Sequence, residues 1–537
     1  MRLHEDLGRA AAPIAIGLVV LVQLSAVSPT NFGGYDEWLI VQLTSAGRVS
    51  MPYAERPLEL VWDLPAAFLF PHRLEAFLWL HALYLWLTGV LVWRLFARLA
   101  PGQGMSAFLA GTFAATWAPL DFLRLNAVET VAYSGVTFVT LAAASLLLAS
   151  WRRRSIPLLA AAAVLALCAA RTYESALPLL FAAPALLWAA PVSPDDRRPR
   201  WRFVVFWEVV VLLAGFLSAI GVLLPSEGSY QLSALSLDLH PISVARRLAQ
   251  QAAYHLGPAV AVSWPELRTA NVILSTVTFL VAAVAVARRH RDTVPVRVHA
   301  FQALWGLVLA LLGWSVFALS PAIRSAARTQ FLSAPGVGVF LAAIIGLVAG
   351  VVPPRLRTAA AAAMAAWVIA VGAARTGAMQ RDWDAQSYWS AQSASLREIT
   401  TVLPDVLPNT LVLVLDERGV WPATFTFRHA LLLLYEGRAI GLVPGAHDFL
   451  YPARFAAGGI SCEPWPVIRK PWGAAPTFHR GSEIVAMTLA ADGSVSLMES
   501  WPPALPAASG TGYAPRSRIV PARPTAAARR ILGAGVR

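Results

Sequence analysis

Apolar runs of roughly the length needed to cross a bilayer recur from residue 13 to residue 374, and arginines close many of them. A spanning helix needs ~20 apolar residues. Eleven candidate runs can be read off the chain: 13–27, 74–93, 106–119, 128–151, 156–170, 175–190, 203–224, 271–287, 298–319, 330–352 and 359–374. This repetition points to a polytopic α-helical membrane protein. Composition agrees, with 57% of the 537 residues hydrophobic and 14% charged, above the apolar share of an ordinary soluble domain. The formal charge of +13 is almost all arginine, Lys470 being the only lysine. These charges fall between apolar runs, where they act as topology markers, so no nucleic-acid partner is expected. The two cysteines, Cys168 and Cys462, give no disulfide framework. Arg2 and Arg9 precede the first run without a convincing cleavage site, so a retained helix is expected rather than a signal peptide.

Arginine placement predicts orientation. With the N-terminus in the cytoplasm, every closing cluster falls on the cytoplasmic side: Arg94 and Arg98, Arg152-Arg153-Arg154, Arg197-Arg198 with Arg200, Arg288-Arg289, and Arg355 with Arg357. The segment 28–73, the turn 171–174, the long loop 225–270 and the turn 320–329 then lie outside. The expected location is the cell inner (plasma) membrane. Within 28–73, the apolar stretch 58–70 is interrupted by Glu59, Asp63 and Pro65, and is expected to lie in the interface rather than span.

Three regions are expected: a transmembrane domain over 1–375, a small extracytoplasmic α/β domain over 376–500 and a disordered tail over 501–537, rich in Pro, Ala and Arg. In the second region, 387–403 reads as an amphipathic helix and 409–415 as a strand. Segments 484–489 and 494–498 read as a hairpin around Asp492-Gly493, and 430–435 is too short to span.

The chemistry-bearing residues sit in the expected outer segments. Asp36 and Glu37 are adjacent carboxylates flanked by Tyr35 and Trp38. Ionised carboxylates near hydrocarbon are costly, and two side by side push one pKa up. A solvated Asp-Glu loop would give the same dipeptide. Arg171, ahead of Thr172-Tyr173-Glu174, and Arg328, ahead of the tenth run, stand in short outer turns that the topology rule disfavours for arginine. An anionic headgroup is one reason for them, since guanidinium grips phosphate with paired hydrogen bonds. Pairing with ordinary lipid phosphates or with Glu174 is another. His81, within the second run, fits a core histidine as well as a site residue. No His/Cys/Asp cluster has zinc-like spacing, so no metal and no cofactor is expected.

Four pieces of this pattern resemble the GT-C class of membrane glycosyltransferases. The likeness is closest to the protein O-mannosyltransferases with transmembrane and tetratricopeptide-repeat regions, and to their bacterial relatives. The pieces are Asp36-Glu37 in the first outer loop; Arg56-Pro57-Leu58 followed by His81 in LEAFLWLHALYLWLTGVLVWRL; the turn Arg171-Thr172-Tyr173-Glu174, where the family has Ser-Lys-Glu; and Arg328 before TQFLSAPGVGVFLA. They agree in order and span about 36–345. The family lysine has no direct counterpart here, and the repeat region is replaced by 376–500, so neither sugar nor acceptor carries over.

The resemblance implies an inverting sugar transfer from a polyprenyl-phosphate donor to an acceptor outside the membrane. It makes Asp36 the general base and Glu37 its partner. Arg171 and Arg328 become the phosphate contacts, with Arg56, Tyr173 and Glu174 as supports. Two other readings stay open. A lipid flippase or transporter would place charge deep within its spans. An O-antigen ligase or polymerase would use the arginines and histidines of 225–270, namely His240, Arg246, Arg247 and His255.

Overall fold

The structure is a computed structural model that describes residues 2–51, 56–191, 200–223, 237–288, 295–321, 330–448, 450–464, 476–506 and 512–533. Its first part is helical: α1 (Arg2–Leu24), α2 (Asp36–Ser45), α3 (Leu64–Leu69), α4 (Glu75–Leu99), α5 (Gly104–Thr116), a 3-10 turn (Phe122–Leu125), α6 (Ala127–Arg153) and α7 (Ile156–Thr172). After a second 3-10 turn (Glu174–Ala176) come α8 (Leu177–Ala182), α9 (Ala185–Ala189), α10 (Arg200–Leu223), α11 (Pro241–Leu256), α12 (Pro258–Ala261), α13 (Trp264–Leu267), α14 (Ala270–Ala287), α15 (Val296–Ala318), α16 (Gln330–Val351) and α17 (Arg357–Gln386).

Each of the eleven apolar runs contains helix, and among the described residues seven helices are long and apolar enough to cross a membrane: α4, α6, α10, α14, α15, α16 and α17. Three of the remaining runs form shorter helices: α5, α7 and the pair α8 and α9. Proline and glycine bound α5, which at 13 residues reaches only ~20 Å. The sixth run is divided at Ala183-Pro184 into α8 and α9, because proline cannot continue the ladder of hydrogen bonds. The outward faces are apolar: Val205, Val209, Leu212 and Phe216 of α10 are all exposed. A soluble protein does not show such a surface to water. Helices α15 and α16 pack closely because Gly336 has no side chain; a Cβ there would collide with the Ala310 backbone. The stretch 58–70, expected at the interface, includes α3, with Phe68, Leu69 and Phe70 exposed at its end.

Described parts of the segments expected outside meet at one end of the bundle. Leu120 N–H donates to Tyr254 O, Trp117 Nε1 to His255 O at 2.6 Å, and Arg375 Nη2 to Leu120 O at 2.7 Å. The α/β domain follows α17 at that same end.

This domain contains α18 (Trp389–Val402), β1 (Asp405–Val406), β2 (Thr410–Asp416), α19 (Thr424–Leu434), β3 (Ala439–Leu442), β4 (Ala453–Ala456), β5 (Gly459–Cys462), β6 (Thr477–Arg480), β7 (Ile484–Leu489) and β8 (Val495–Leu497). The main sheet runs β3-β2-β7-β8, with β2 parallel to β3 and β7 and antiparallel pairing of β7 with β8. Gly493, at φ +91°, turns the β7–β8 hairpin. The apolar stretch 430–435 belongs mostly to α19 and is buried in the domain.

The tail departs from expectation. Its described residues include β9 (Ile519–Val520), paired with β1, and α20 (Ala526–Leu532). Thr525 caps α20, and Ala527, Ala528, Ile531 and Leu532 are buried on one of its faces. A polar, proline-rich composition concealed one short amphipathic helix that completes the domain core.

Candidate active site at one end of the bundle

Segment 28–45 is held from three sides. Helix α2 shares one hydrophobic core with the C-terminal domain: Trp38, Leu39 and Ile40 lie in the same cluster as Leu396, Trp421, Phe425 and Phe427. Gln392 of α18 accepts from Trp38 Nε1 at 2.7 Å and donates to Gly34 O at 2.7 Å. Its amide lies against the Cα of Gly34, whose φ of +85° also requires glycine. Ser387 Oγ donates to Phe32 O, and Gln380 Nε2 to Asn31 Oδ1. Gln42 and His429 meet at 3.0 Å on the far side of α2. A loop with this many fixed partners is a rigid platform.

Asp36 is the first residue of α2 and is half-buried, whereas Glu37 is 1% exposed. Glu37 Oε1 accepts from Gly33 N–H at 2.7 Å and from Asn126 Nδ2 at 2.8 Å, and Oε2 accepts from Tyr35 N–H at 2.7 Å. Burial, then Glu129, pushes Glu37 up to about 8; the backbone N–H groups oppose this, and Asp36 adds to it. The two adjacent acids therefore differ in kind. Glu37 ties the loop to the start of α6, and Asp36 is left at the helix tip.

Arg56, Tyr173 and Glu174 come together. Arg56 forms a two-point ion pair with Glu174, at 2.7 and 2.9 Å, bonds Glu59 at 3.2 Å, and lies 4.2 Å over the Tyr173 ring. Burial alone would lower the Arg56 guanidinium, but Glu174, Tyr173 and Glu59 hold it well above its ordinary value. Glu174 is raised by burial and lowered further by Arg56, with a net downward shift. Asp63 nearby is 1% exposed with neither carboxylate oxygen bonded; burial, then Glu59, raises it well above the usual carboxylate range. Trp62 bonds Thr172 at 3.0 Å, fastening this loop to the end of α7.

The remaining expected residues are more dispersed. Arg171 donates to Leu217 O of α10 at 2.6 Å, facing the seam between α7 and α10. Arg328 and Arg324 lie outside the described residues. His81 is buried, with Nδ1 3.0 Å from Ser134 Oγ. In the loop that the ligase reading would use, Arg247 is paired with Asp238 at 3.0 Å and bonded to Ala318 O. His255 is buried, with Nδ1 2.9 Å from Ser333 Oγ. Among the described residues, no three or more His, Cys, Asp or Glu side chains gather as metal ligands.

Sequence reading passed over Arg124, in the 3-10 turn between α5 and α6. It is 5% exposed and lies 4.7 Å over the Phe331 ring. Its turn is bound to the acidic loop by Asn31 Nδ2 donating to Leu125 O and Asn126 Nδ2 to Glu37. An aromatic layer joins it to Arg56: Phe331 stacks on Tyr133 at 6.3 Å, and Tyr133 meets Tyr173 edge-on at 4.9 Å. The available signal was an arginine in a short outer turn, the same anomaly that drew attention to Arg171 and Arg328.

No protein-family model matches the chain, and no curated protein matches it either. Among solved structures, it is similar to the oligosaccharyltransferase of Archaeoglobus fulgidus tethered with an acceptor peptide containing the NVT sequon (11% identity, TM-score 0.41, 82% of this chain and 64% of that one). It is similar to the same enzyme in complex with zinc and sulfate (13% identity, TM-score 0.43, 81% and 62%). It is also similar to ArnT from Cupriavidus metallidurans bound to undecaprenyl phosphate (15% identity, TM-score 0.38, 81% and 86%). The chain thus spans less than two thirds of the oligosaccharyltransferase chains. At these identities and scores the likeness assigns neither family nor activity.

Proposed function

We propose that this chain is a membrane glycosyltransferase of the GT-C kind, taking a sugar from a polyprenyl-phosphate donor to an acceptor on the extracytoplasmic side. The observation that carries this reading is the gathering, at one end of an apolar bundle, of an acid-bearing helix tip, the half-buried Arg56 guanidinium and the buried Arg124 guanidinium. Asp36 takes the proton of an acceptor hydroxyl as its oxygen attacks the sugar's anomeric carbon. The bond from that carbon to the phosphate oxygen breaks, and the lipid phosphate leaves with the electron pair. Arginines balance the charge that develops on it. Attack opposite the leaving group inverts the anomeric centre.

Glu37 keeps Asp36 in place through Gly33, Tyr35 and Asn126. Arg56, with Tyr173 and Glu174, forms one wall. Arg171 meets the headgroup from the seam between α7 and α10, and Arg328, two residues ahead of α16 in the sequence, contributes a further contact. The polyprenyl tail lies along the spans in the plasma membrane, with the N-terminus cytoplasmic.

Asp36→Asn tests the base. In proteoliposomes supplied with a panel of undecaprenyl-phosphate sugars, transfer is expected to fall about 10²–10⁴-fold, with elution and melting unchanged. Arg246→Ala in the same assay is expected to retain activity. Normal turnover by Asp36→Asn would discard the assignment, and loss confined to Arg246→Ala would favour the ligase-type reading.

A further inference from the structure

Among the described residues, nothing neutralises the charge on Arg124. It is 5% exposed, and its one hydrogen bond among these residues is from Nη1 to Trp117 O at 3.4 Å. Among the described residues it takes part in no ion pair. Arginine does not give up its proton in proteins, and an uncompensated buried charge is expensive. Burial lowers this guanidinium to about 10, still far above neutrality.

Polar groups around the head of α16, whose Phe331 ring Arg124 covers, are also unsatisfied. Gln330, next in the chain to Phe331, is 0% exposed, and neither its amide nitrogen nor its amide oxygen is bonded. His255, close enough for Arg124 to depress its proton affinity, has Nε2 buried without a partner. Ser333 Oγ donates to Gln330 O, so His255 Nδ1–H is the donor toward Ser333 and Nε2 keeps an open lone pair. Buried polar groups are normally paired. Here a cation, an amide and an imidazole acceptor are left open at the head of one membrane helix. Guanidinium and amide N–H groups suit phosphate oxygens, and Nε2 suits a hydroxyl beside them.

We infer that Arg124, together with Gln330, binds the phosphate of the lipid-linked donor, with His255 Nε2 accepting from a hydroxyl next to it. This rests on the proposed transferase reading and adds a phosphate ligand to Arg171 and Arg328, whereas Arg56 is already matched by Glu174.

The test uses full-length, delipidated protein and three probes: undecaprenyl phosphate, undecaprenol and inorganic phosphate, with binding followed by thermal shift. Undecaprenyl phosphate is expected to stabilise the wild type and Asp36→Asn alike, while undecaprenol and equimolar inorganic phosphate have little effect. In Arg124→Gln the affinity for undecaprenyl phosphate is expected to drop at least about tenfold, the equivalent of 1.4 kcal/mol. Gln330→Leu is expected to show a smaller loss, and serves alone if Arg124→Gln does not fold. Wild-type affinity in Arg124→Gln, or in Gln330→Leu where it stands alone, would overturn the inference and leave the transferase reading in place. A wild type that responds to no phosphate would remove both. Inorganic phosphate matching the lipid would overturn the lipid source.

Discussion

Two arginines, Arg56 half-buried and Arg124 buried, end the same aromatic layer, and their surroundings are opposite. Arg56 has Glu174 and Glu59 within 3.2 Å, and Asp63 buried nearby. Arg124 has a carbonyl, a ring face and two histidines for company. The first is a closed electrostatic unit that fastens the loop after residue 56 to the end of α7. The second is electrically open. A protein gains no stability from an unmatched buried charge, so its presence points to an anion that arrives from outside. The contrast shows that an arginine's value as a ligand depends on what already occupies its hydrogen bonds, and Arg56 is mostly committed.

The largest expected effect would break the comparison if it failed. Arg56→Met removes the partner of Glu174 and Glu59 and should cost about 3 kcal/mol, the low end for a buried pair, because Glu174 is 30% exposed. In lipid-free protein, Arg124→Met should do the reverse and raise the melting temperature. Denaturation of both variants in one detergent checks this; a comparable loss in both would mean that Arg124 is structural.

A smaller effect sharpens the contrast between the two neighbouring acids. Glu37→Gln points an amide N–H at one of the three donors now satisfied by the carboxylate, costing roughly 1–3 kcal/mol. Its pH dependence follows from linkage. Glu37 is held at about 8, above its unfolded value, so the protonated form favours the folded state. That contribution is complete below the unfolded pKa and is lost as pH rises through 8. Melting temperature should therefore fall between about pH 5 and 8 in the wild type and fall less steeply in Glu37→Gln. Parallel slopes would contradict the burial argument.

Local signals in the sequence carried the spans and several domain elements. Long apolar runs and closing arginines marked the helices, and Asp492-Gly493 marked the β7–β8 turn because both depend only on neighbours in the chain. The site was legible in part. Asp36, Glu37, Arg56, Tyr173 and Glu174 stood out as charge or aromatic anomalies in outer segments. What they touch did not, since Gln392 reaches Gly34 across 358 positions and Arg56 reaches Glu174 across 118. Helix α20 was hidden by its composition. Arg124 was hidden because it stands three residues after Asp121, as an ordinary paired arginine would, and the sequence does not show that the described residues form no ion pair with it.

The most direct measurement is an experimental structure of the full chain with undecaprenyl phosphate in a lipid nanodisc. The account predicts phosphate density within hydrogen-bond distance of the Arg124 guanidinium, in a cavity that the Asp36 carboxylate also faces. Phosphate seated elsewhere, with protein filling the space between Asp36 and Arg124, would contradict it.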